Sequence, residues 1–323
     1  MDSVPLKPAT NLQEQIELLR SRGMCVDEKL CKQWLRSVSY YRLSAYWYPS
    51  RQTIINSSGT PTRKEEFIPG TNFSDAVHLY EADRKLRTLI HDGIERVEVA
   101  LRAHIGELLV EIGSQAYKNP DNFRGDDQRP NFKWKHSDWV NKAEGRVRRA
   151  EKHSEAIKHY NTKYDGNLPF WVLADVLDFS DISRLYEGLK TPDQTKVAES
   201  FGIKMDLSQV SKGTRDKAIK RHPLARWLEQ LTVVRNSCAH HSRVWNKSFT
   251  PAPTNALRTV PALRSLPEGQ SERIYGSLTL ISFLLETISP GSSWKQKLDD
   301  LLRNDFLSNP MVKKESLGLP EDW

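Results

Sequence analysis

The run Val234-Arg235-Asn236-Ser237-Cys238-Ala239-His240-His241-Ser242-Arg243 places a fixed cation, an amide and two imidazoles within one short segment. A guanidinium can hold a phosphate through two parallel hydrogen bonds. Histidine is the side chain best suited to moving protons near neutral pH. Together such groups can cleave RNA without a metal, because the substrate's own 2′-OH serves as the nucleophile. Spacing alone proves little, since Arg84/His91, Arg129/His136, Arg148/His153 and Arg215/His222 show similar separations. Only Arg235 has Asn directly after it and an apolar helical stretch leading into it. The plain structural reading of the same residues is an Arg paired with a carboxylate and a His at a helix C-terminus.

The element that must position these groups is legible. Leu224, Trp227, Leu228, Leu231 and Val234 recur at steps of three and four, the stripe of a buried helix, with Pro223 where a first turn tolerates it. On a continuous helix Arg235 and His240 would lie roughly 140° apart, whereas Asn236 and His240 would share a face. An Arg and a His acting on one phosphate therefore need a helix that bends or ends near Ser237, or a site shared between two subunits. A homodimer that apposes two copies of the segment answers the second requirement.

Three other constellations could carry chemistry. In Ile94–His104, Glu98 and Arg102 stand four apart in the order that favours an intrahelical ion pair, and they could also orient groups around Arg235. A basic run includes Lys142, Arg146, Arg148, Arg149, Lys152, His153 and Lys158, with Trp134, Trp139 and Tyr160 nearby. It reads equally as a solvated helix face or as an RNA track, with Arg146, Arg148, Arg149 and Lys152 as its grip. His222, Cys238, His240 and His241 lack a four-ligand spacing, so no metal site and no cofactor is expected. Five large rings between Tyr40 and Tyr48 read as a packed joint in preference to a base-stacking platform.

Lysine and arginine exceed aspartate and glutamate by 48 − 41 = 7, which leans toward polyanionic partners without the charge of a basic tail. The three cysteines have neither metal-type nor disulfide-framework spacing, as expected in a reducing cytosol. Met1-Asp2-Ser3-Val4-Pro5 has no signal pattern, and Leu278–Ile288 is too short to span a bilayer. A cytoplasmic protein with no membrane partner is expected. Helix signals dominate: Leu12–Arg20, Asp27–Ser37, Phe73 to about Ile112 with a possible break at Gly93, Trp139–Tyr160, Phe170–Leu189, Pro192–Phe201, and about Glu272–Ile288 and Ser293–Leu302. Residues 50–72 read as an exposed excursion or hairpin, and 114–133 as loop. The fold class is all-α, divided into an N-terminal helical unit at 1–49, the excursion at 50–72 and a helical domain at 73–323.

Several segments, in order along nearly the whole chain, resemble the Abi family of bacterial abortive-infection proteins of the Abi-D/Abi-F type, within the HEPN ribonuclease superfamily. They are Arg22-Gly23-Met24, Tyr40–Pro49, Tyr80–Arg87, Ile94–Arg102, Leu168-Pro169-Phe170-Trp171, Arg235–Asn246 and Gly318–Trp323. The resemblance implies an antiphage toxin with a HEPN-type bundle and a metal-independent endoribonuclease site at Arg235 and His240. Asn236 would orient His240, and His241, Glu98 and Arg102 would be accessory. RNA, a second copy of the chain, and an antitoxin or phage-derived trigger would be the partners. Some such toxins carry, two residues after the His, a Tyr that a partner enzyme modifies; Ser242 stands there, so that mode of silencing is not expected. The competing expectation is a non-catalytic RNA- or protein-binding module of a phage-sensing or toxin–antitoxin system.

Overall fold

The computed structural model describes residues 8–126 and 134–323. Arg129, the rest of the expected loop at 127–133 and the segment Met1–Pro5 lie outside them. The described chain is all-α in character, with fourteen helices and only two small two-stranded sheets. None of its helices is long and apolar enough to cross a membrane. It groups into two compact units, one of residues up to Arg87 with Gln296–Ser316, the other of Thr88–Lys295 with Leu317–Trp323.

The first unit opens with α1 (Leu12–Ser21), started by a capping box. Asn11 Oδ1 accepts from the Glu14 N–H at 3.0 Å, and Glu14 Oε2 accepts from the Asn11 N–H at 2.7 Å. Asp27 caps α2 (Glu28–Val38) as its sequence predicts, accepting from the Leu30 N–H at 2.9 Å. After α3 (Tyr40–Trp47), strands β1 (Arg51–Ile55) and β2 (Pro61–Phe67) pair antiparallel, so the excursion is a hairpin. The ring-rich segment is a packed joint. Tyr46 and Trp47 are buried, and the Tyr46 hydroxyl donates to Asp83 Oδ2 at 2.8 Å and accepts from Arg87 at 3.2 Å. Asp83 and Arg87, also buried, form an ion pair with each other. Tyr41 and Tyr48 are the exceptions, 89% and 49% exposed.

A single helix, α4 (Phe73–Val110), fills the longest periodic segment. Gly93 does not break it. A Cβ there would meet Ile281 Cγ2 at 2.6 Å and Trp294 Nε1 at 2.9 Å, so the glycine serves close packing. The basic segment is two helices, α5 (His136–Ala150) and α6 (Glu155–Lys163), because Ser154 caps the second by accepting from the Ile157 N–H at 3.3 Å. The break lets Val147 and Ala150 of α5 and Ile157 of α6 pack around Leu168 and Val172. Phe170–Leu189 also divides, into α7 (Phe170–Val176) and α8 (Phe179–Gly188), at an extended Leu177 followed by Asp178 as N-cap.

Next come α9 (Thr191–Ser200) and α10 (Lys212–Lys220). The apolar period does not signal α10, of which only Ala218 is buried. The expected stripe forms α11 (Leu224–Ala239), packed on α8, on the short strand β3 (Ala252–Pro253) and on α12 (Ile274–Ile288). Strand β3 pairs with β4 (Gln270–Ser271). Gln230 is buried in α11 and fully used: its amide donates to the carbonyls of Thr250 (2.7 Å) and Ser271 (2.9 Å) and accepts from Ser277 Oγ at 2.8 Å. The chain closes with α13 (Trp294–Leu301) and α14 (Lys314–Leu317).

The buried Tyr46–Asp83–Arg87 network yields a stability prediction. Asp83→Ala leaves a buried guanidinium without its counter-charge and should cost about 3–5 kcal/mol. A urea titration reads it as a fall in unfolding midpoint, and a loss below about 1 kcal/mol would contradict the burial of the pair.

Candidate functional site

The last turn of α11 ends where Arg235 and His240 need it to. Ala239 is its final residue, and His240 is the C-cap (φ −88°, ψ 14°). His241 follows in the left-handed region at φ 55°. The His241 N–H donates to the Cys238 carbonyl at 2.9 Å, and the Ser242 N–H to the Ser237 carbonyl at 2.8 Å. This is a Schellman closure, and it places a histidine where glycine is usual. His240 thus stands where the plain reading put it, at a helix C-terminus.

The other half of that reading fails. Arg235 is half-buried and forms no carboxylate ion pair among the described residues; its guanidinium bonds Asn236 Oδ1 at 3.5 Å. Its electrostatic neighbours lie on α4. Burial pushes the Glu98 carboxyl above its ordinary value, against the pull of the Arg102 and Arg235 guanidinium groups. Glu98 and Arg102 form the expected intrahelical pair, and Arg102 also donates to the Leu177 carbonyl at 2.7 Å in the turn between α7 and α8.

A residue that spacing had dismissed completes the cluster. His91, one of the background Arg/His pairs in the sequence, bonds the backbone carbonyl of Cys238. Burial holds its pKa below the ordinary histidine value, and the positive charge of Arg235 lowers it further, as does His241; the bond to Cys238 opposes them. A neutral imidazole that donates through one nitrogen keeps a lone pair on the other and can accept a proton. No local signal marks His91, because its relation to Arg235 arises only when α4 lies beside the end of α11.

The structure therefore brings Arg235, Glu98 and Arg102 together with His91 and His241. Asn236 and His240 sit exposed at the rim. The expected side-chain bond from Asn236 to His240 is absent: the two are linked through the backbone, His240 N–H to Asn236 carbonyl at 3.0 Å, and the Asn236 amide oxygen faces Arg235 instead. Among the described residues the His240 imidazole has no hydrogen-bond partner.

The basic run separates into two kinds of residue. Arg146 is structural, bonded through Nε to the buried Asp181 at 2.7 Å and ion-paired with Asp178. Burial pushes the Asp181 carboxyl up, but hydrogen bonds from Lys142, Arg146 and the Asp178 N–H outweigh it and hold the pKa below the usual carboxylate value. Arg148 is exposed, 3.9 Å from Glu144, while Arg149 and Lys152 are exposed without an ion pair among the described residues. Trp134 and Trp139 are buried, and their indole N–H groups donate to the carbonyls of Arg124 and Asp181 at 3.1 and 2.9 Å, so neither offers a stacking face. No group of three or more His, Cys, Asp or Glu among the described residues is placed to hold a metal.

A family described as Abi-like protein matches residues 33–246, a span that runs from α2 through the end of the site. No curated protein and no solved structure matches the chain.

Two measurements check this geometry. Arg235→Gln removes a cation facing His91, so the His91 imidazole should titrate at higher pH, read from its ring proton shifts in NMR; an unchanged midpoint would separate the two residues. His241→Gly relieves a left-handed non-glycine residue and should raise stability by about 1 kcal/mol, seen as a higher thermal midpoint, whereas a loss would mean that the imidazole contributes packing.

Proposed function

Because the chain belongs to the Abi-like protein family, we propose that it is an abortive-infection toxin of the Abi-D/Abi-F type, with a HEPN-type helical domain that cuts RNA without a metal. What carries this reading is Arg235, a half-buried guanidinium with no carboxylate ion pair among the described residues, at a helix end that also displays His240. A cation left in this state is suited to a ligand anion.

The chemistry follows from the groups present. The RNA 2′-oxygen forms a bond to the adjacent phosphorus and gives up its proton. The bond from phosphorus to the 5′-oxygen breaks, and that oxygen takes a proton. The products are a 2′,3′-cyclic phosphate and a 5′-OH end. Arg235 offsets the charge that builds on the phosphorane oxygens, where preorganised electrostatics contribute most. His240, exposed and open to substrate, exchanges the proton with the reacting oxygens. His91 supplies a second imidazole beside Arg235. Glu98 and Arg102 hold the α4 side of the site, and Arg148, Arg149 and Lys152 lie on an exposed face open to RNA phosphates.

A homodimer fits the same arrangement. Arg235 faces α4 while His240 faces solvent, so a two-fold contact through the exposed helix ends would bring the His240 of one copy toward the Arg235 of the other. An antitoxin or a phage-derived trigger would set when the toxin acts.

Arg235→Ala and His240→Ala should each lower cleavage of a labelled RNA at least a hundredfold, about 2.7 kcal/mol or more of transition-state stabilisation, while circular dichroism and elution volume stay at the parental values. Cleavage should persist in EDTA and stop on a substrate whose 2′-OH groups are replaced by hydrogen. RNA that is bound but left intact by the parental protein would favour a non-catalytic binding module, and strict dependence on added Mg²⁺ would overturn the mechanism. Co-expressed Arg235→Ala and His240→Ala subunits should recover part of the activity if the site is shared; no recovery, or a strictly monomeric mass at cutting concentrations, would refute the shared site.

A further inference from the structure

The opposite end of α11 borders a cavity of about 480 Å³, within the range of small-ligand sites. Five cations line it: Arg124, Lys217, Lys220, Arg221 and Arg226. No described carboxylate lines it. Glu187 and Glu229 stand outside the lining and hold two of the cations, Glu187 accepting from Arg221 at 2.5 Å and Glu229 pairing with Arg226. Lys217 and Lys220 are exposed and have no ion pair among the described residues. The cations also oppose one another: burial lowers the Arg221 pKa, and the charges of Arg226 and Arg124 lower it further. An anion in the cavity would relieve that repulsion.

The independent pointer to a ligand is His222, which lines the same cavity and is 2% exposed. Its setting is built. The buried Gln194 accepts from the His222 backbone N–H at 2.9 Å, and His222 Nδ1 accepts from the Leu224 N–H at 3.2 Å. Burial pushes its pKa down to about 4, so the ring is neutral at pH 7. With Nδ1 accepting, the proton of the neutral ring sits on Nε2. Nε2 is buried and has no partner, so a fixed donor stands without an acceptor beside a ring of cations. The remaining walls are partly apolar, from Ala218, Pro223, Pro253 and Ala256, with the polar side chains of Thr214 and Asn255 among them. A bare phosphate would leave most of this volume and all of the apolar wall unused. The N-terminal end of α11 adds the favourable end of a helix dipole.

We propose that this cavity binds a nucleoside monophosphate, free or as the 5′-phosphorylated end of an RNA strand. The phosphate lies among Lys217, Lys220 and Arg124, and the base lies against the apolar wall with an acceptor atom on His222 Nε2. None of these residues belongs to the Arg235 cluster, so the site stands or falls separately from the ribonuclease reading.

Calorimetry on the full-length chain carrying Arg235→Ala, which keeps RNA intact if the chain is a nuclease, tests it with adenosine and guanosine 5′-monophosphates, adenosine, inorganic phosphate, and a short RNA with and without its 5′-phosphate. At least one monophosphate or the phosphorylated RNA should bind saturably, at least tenfold tighter than adenosine or inorganic phosphate. The surface pair Lys217→Ala/Lys220→Ala, which touches no core, should weaken binding at least tenfold, and His222→Gln should weaken it further if the variant folds. A mononucleotide that binds as tightly as the phosphorylated RNA identifies a free-nucleotide site. A phosphorylated RNA at least tenfold tighter, with the gain lost on removing its phosphate, identifies a strand end. No binding at millimolar ligand, equal binding of inorganic phosphate, or unchanged binding in the lysine pair variant would each overturn the proposal.

Discussion

The contact of α4 at Gly93 governs how the site is assembled. Ile281 and Trp294 approach so closely that a Cβ at 93 would sit 2.6 Å from Ile281 Cγ2, and the Trp294 indole donates to the Leu89 carbonyl at 2.7 Å. A helix held this way cannot rotate. Counting about 100° per residue, His91 and Glu98 fall on one face, both turned well away from Gly93, with Arg102 close beside them. The face opposite the tight contact is therefore the one whose polar groups meet the end of α11. A larger residue at 93 would push α4 outward and turn those side chains before it touched any of them.

The first half of α11 is held with comparable firmness. Gln230 is tied on both sides of its amide, and the Trp227 indole donates to the Pro253 carbonyl at 2.7 Å. Closure then falls on His241, which adopts a conformation that costs a non-glycine residue roughly 1–2 kcal/mol. Glycine would close the helix at less cost, but it would remove an imidazole that acts electrostatically on His91. Arg235 fits the same pattern. A stabilising ion pair with Glu98 is within the reach of charge effects and is not formed; Glu98 goes to Arg102 instead. The local arrangement leaves a positive charge available in place of consuming it.

Much of this was readable in the residues. The three-four stripe of α11, the Asp27 cap, the hairpin and the aromatic joint all rest on local patterns, and local physics is what a sequence carries directly. The helix breaks at Ser154 and Asp178 were harder. Both neighbouring segments stay amphipathic across the break, so a capping side chain decides against an uninterrupted apolar period. Gly93 shows the opposite effect, since a residue that weakens a helix in isolation here admits the close approach of Ile281 and Trp294, far away in sequence. Arg146 looked like a phosphate ligand because its partners Asp178 and Asp181 lie more than thirty positions on. His91 and the cavity at His222 depend wholly on tertiary placement, and no spacing rule reaches them.

The polarity of α11 bears on what each of its ends can do. The negative end of the helix dipole lies at His240 and favours cations; a phosphate arriving there is disfavoured unless a fixed positive charge offsets the field. Arg235, just before the last turn, supplies that charge. The positive end lies about 24 Å from His240, sixteen residues back at Leu224, beside the basic cavity. Anion binding costs least at that end, and five cations and the buried, unpartnered His222 Nε2 line the cavity there. A polyanion would gain binding energy near the start of the helix and meet a weaker, more exposed electrostatic environment near its finish. Reaction requires groups that change charge and exchange protons with substrate, which a saturated, tightly bound anion site prevents. On these two proposals the chain would separate holding from reacting along a single helix, and the sign of the dipole matches each task to its end.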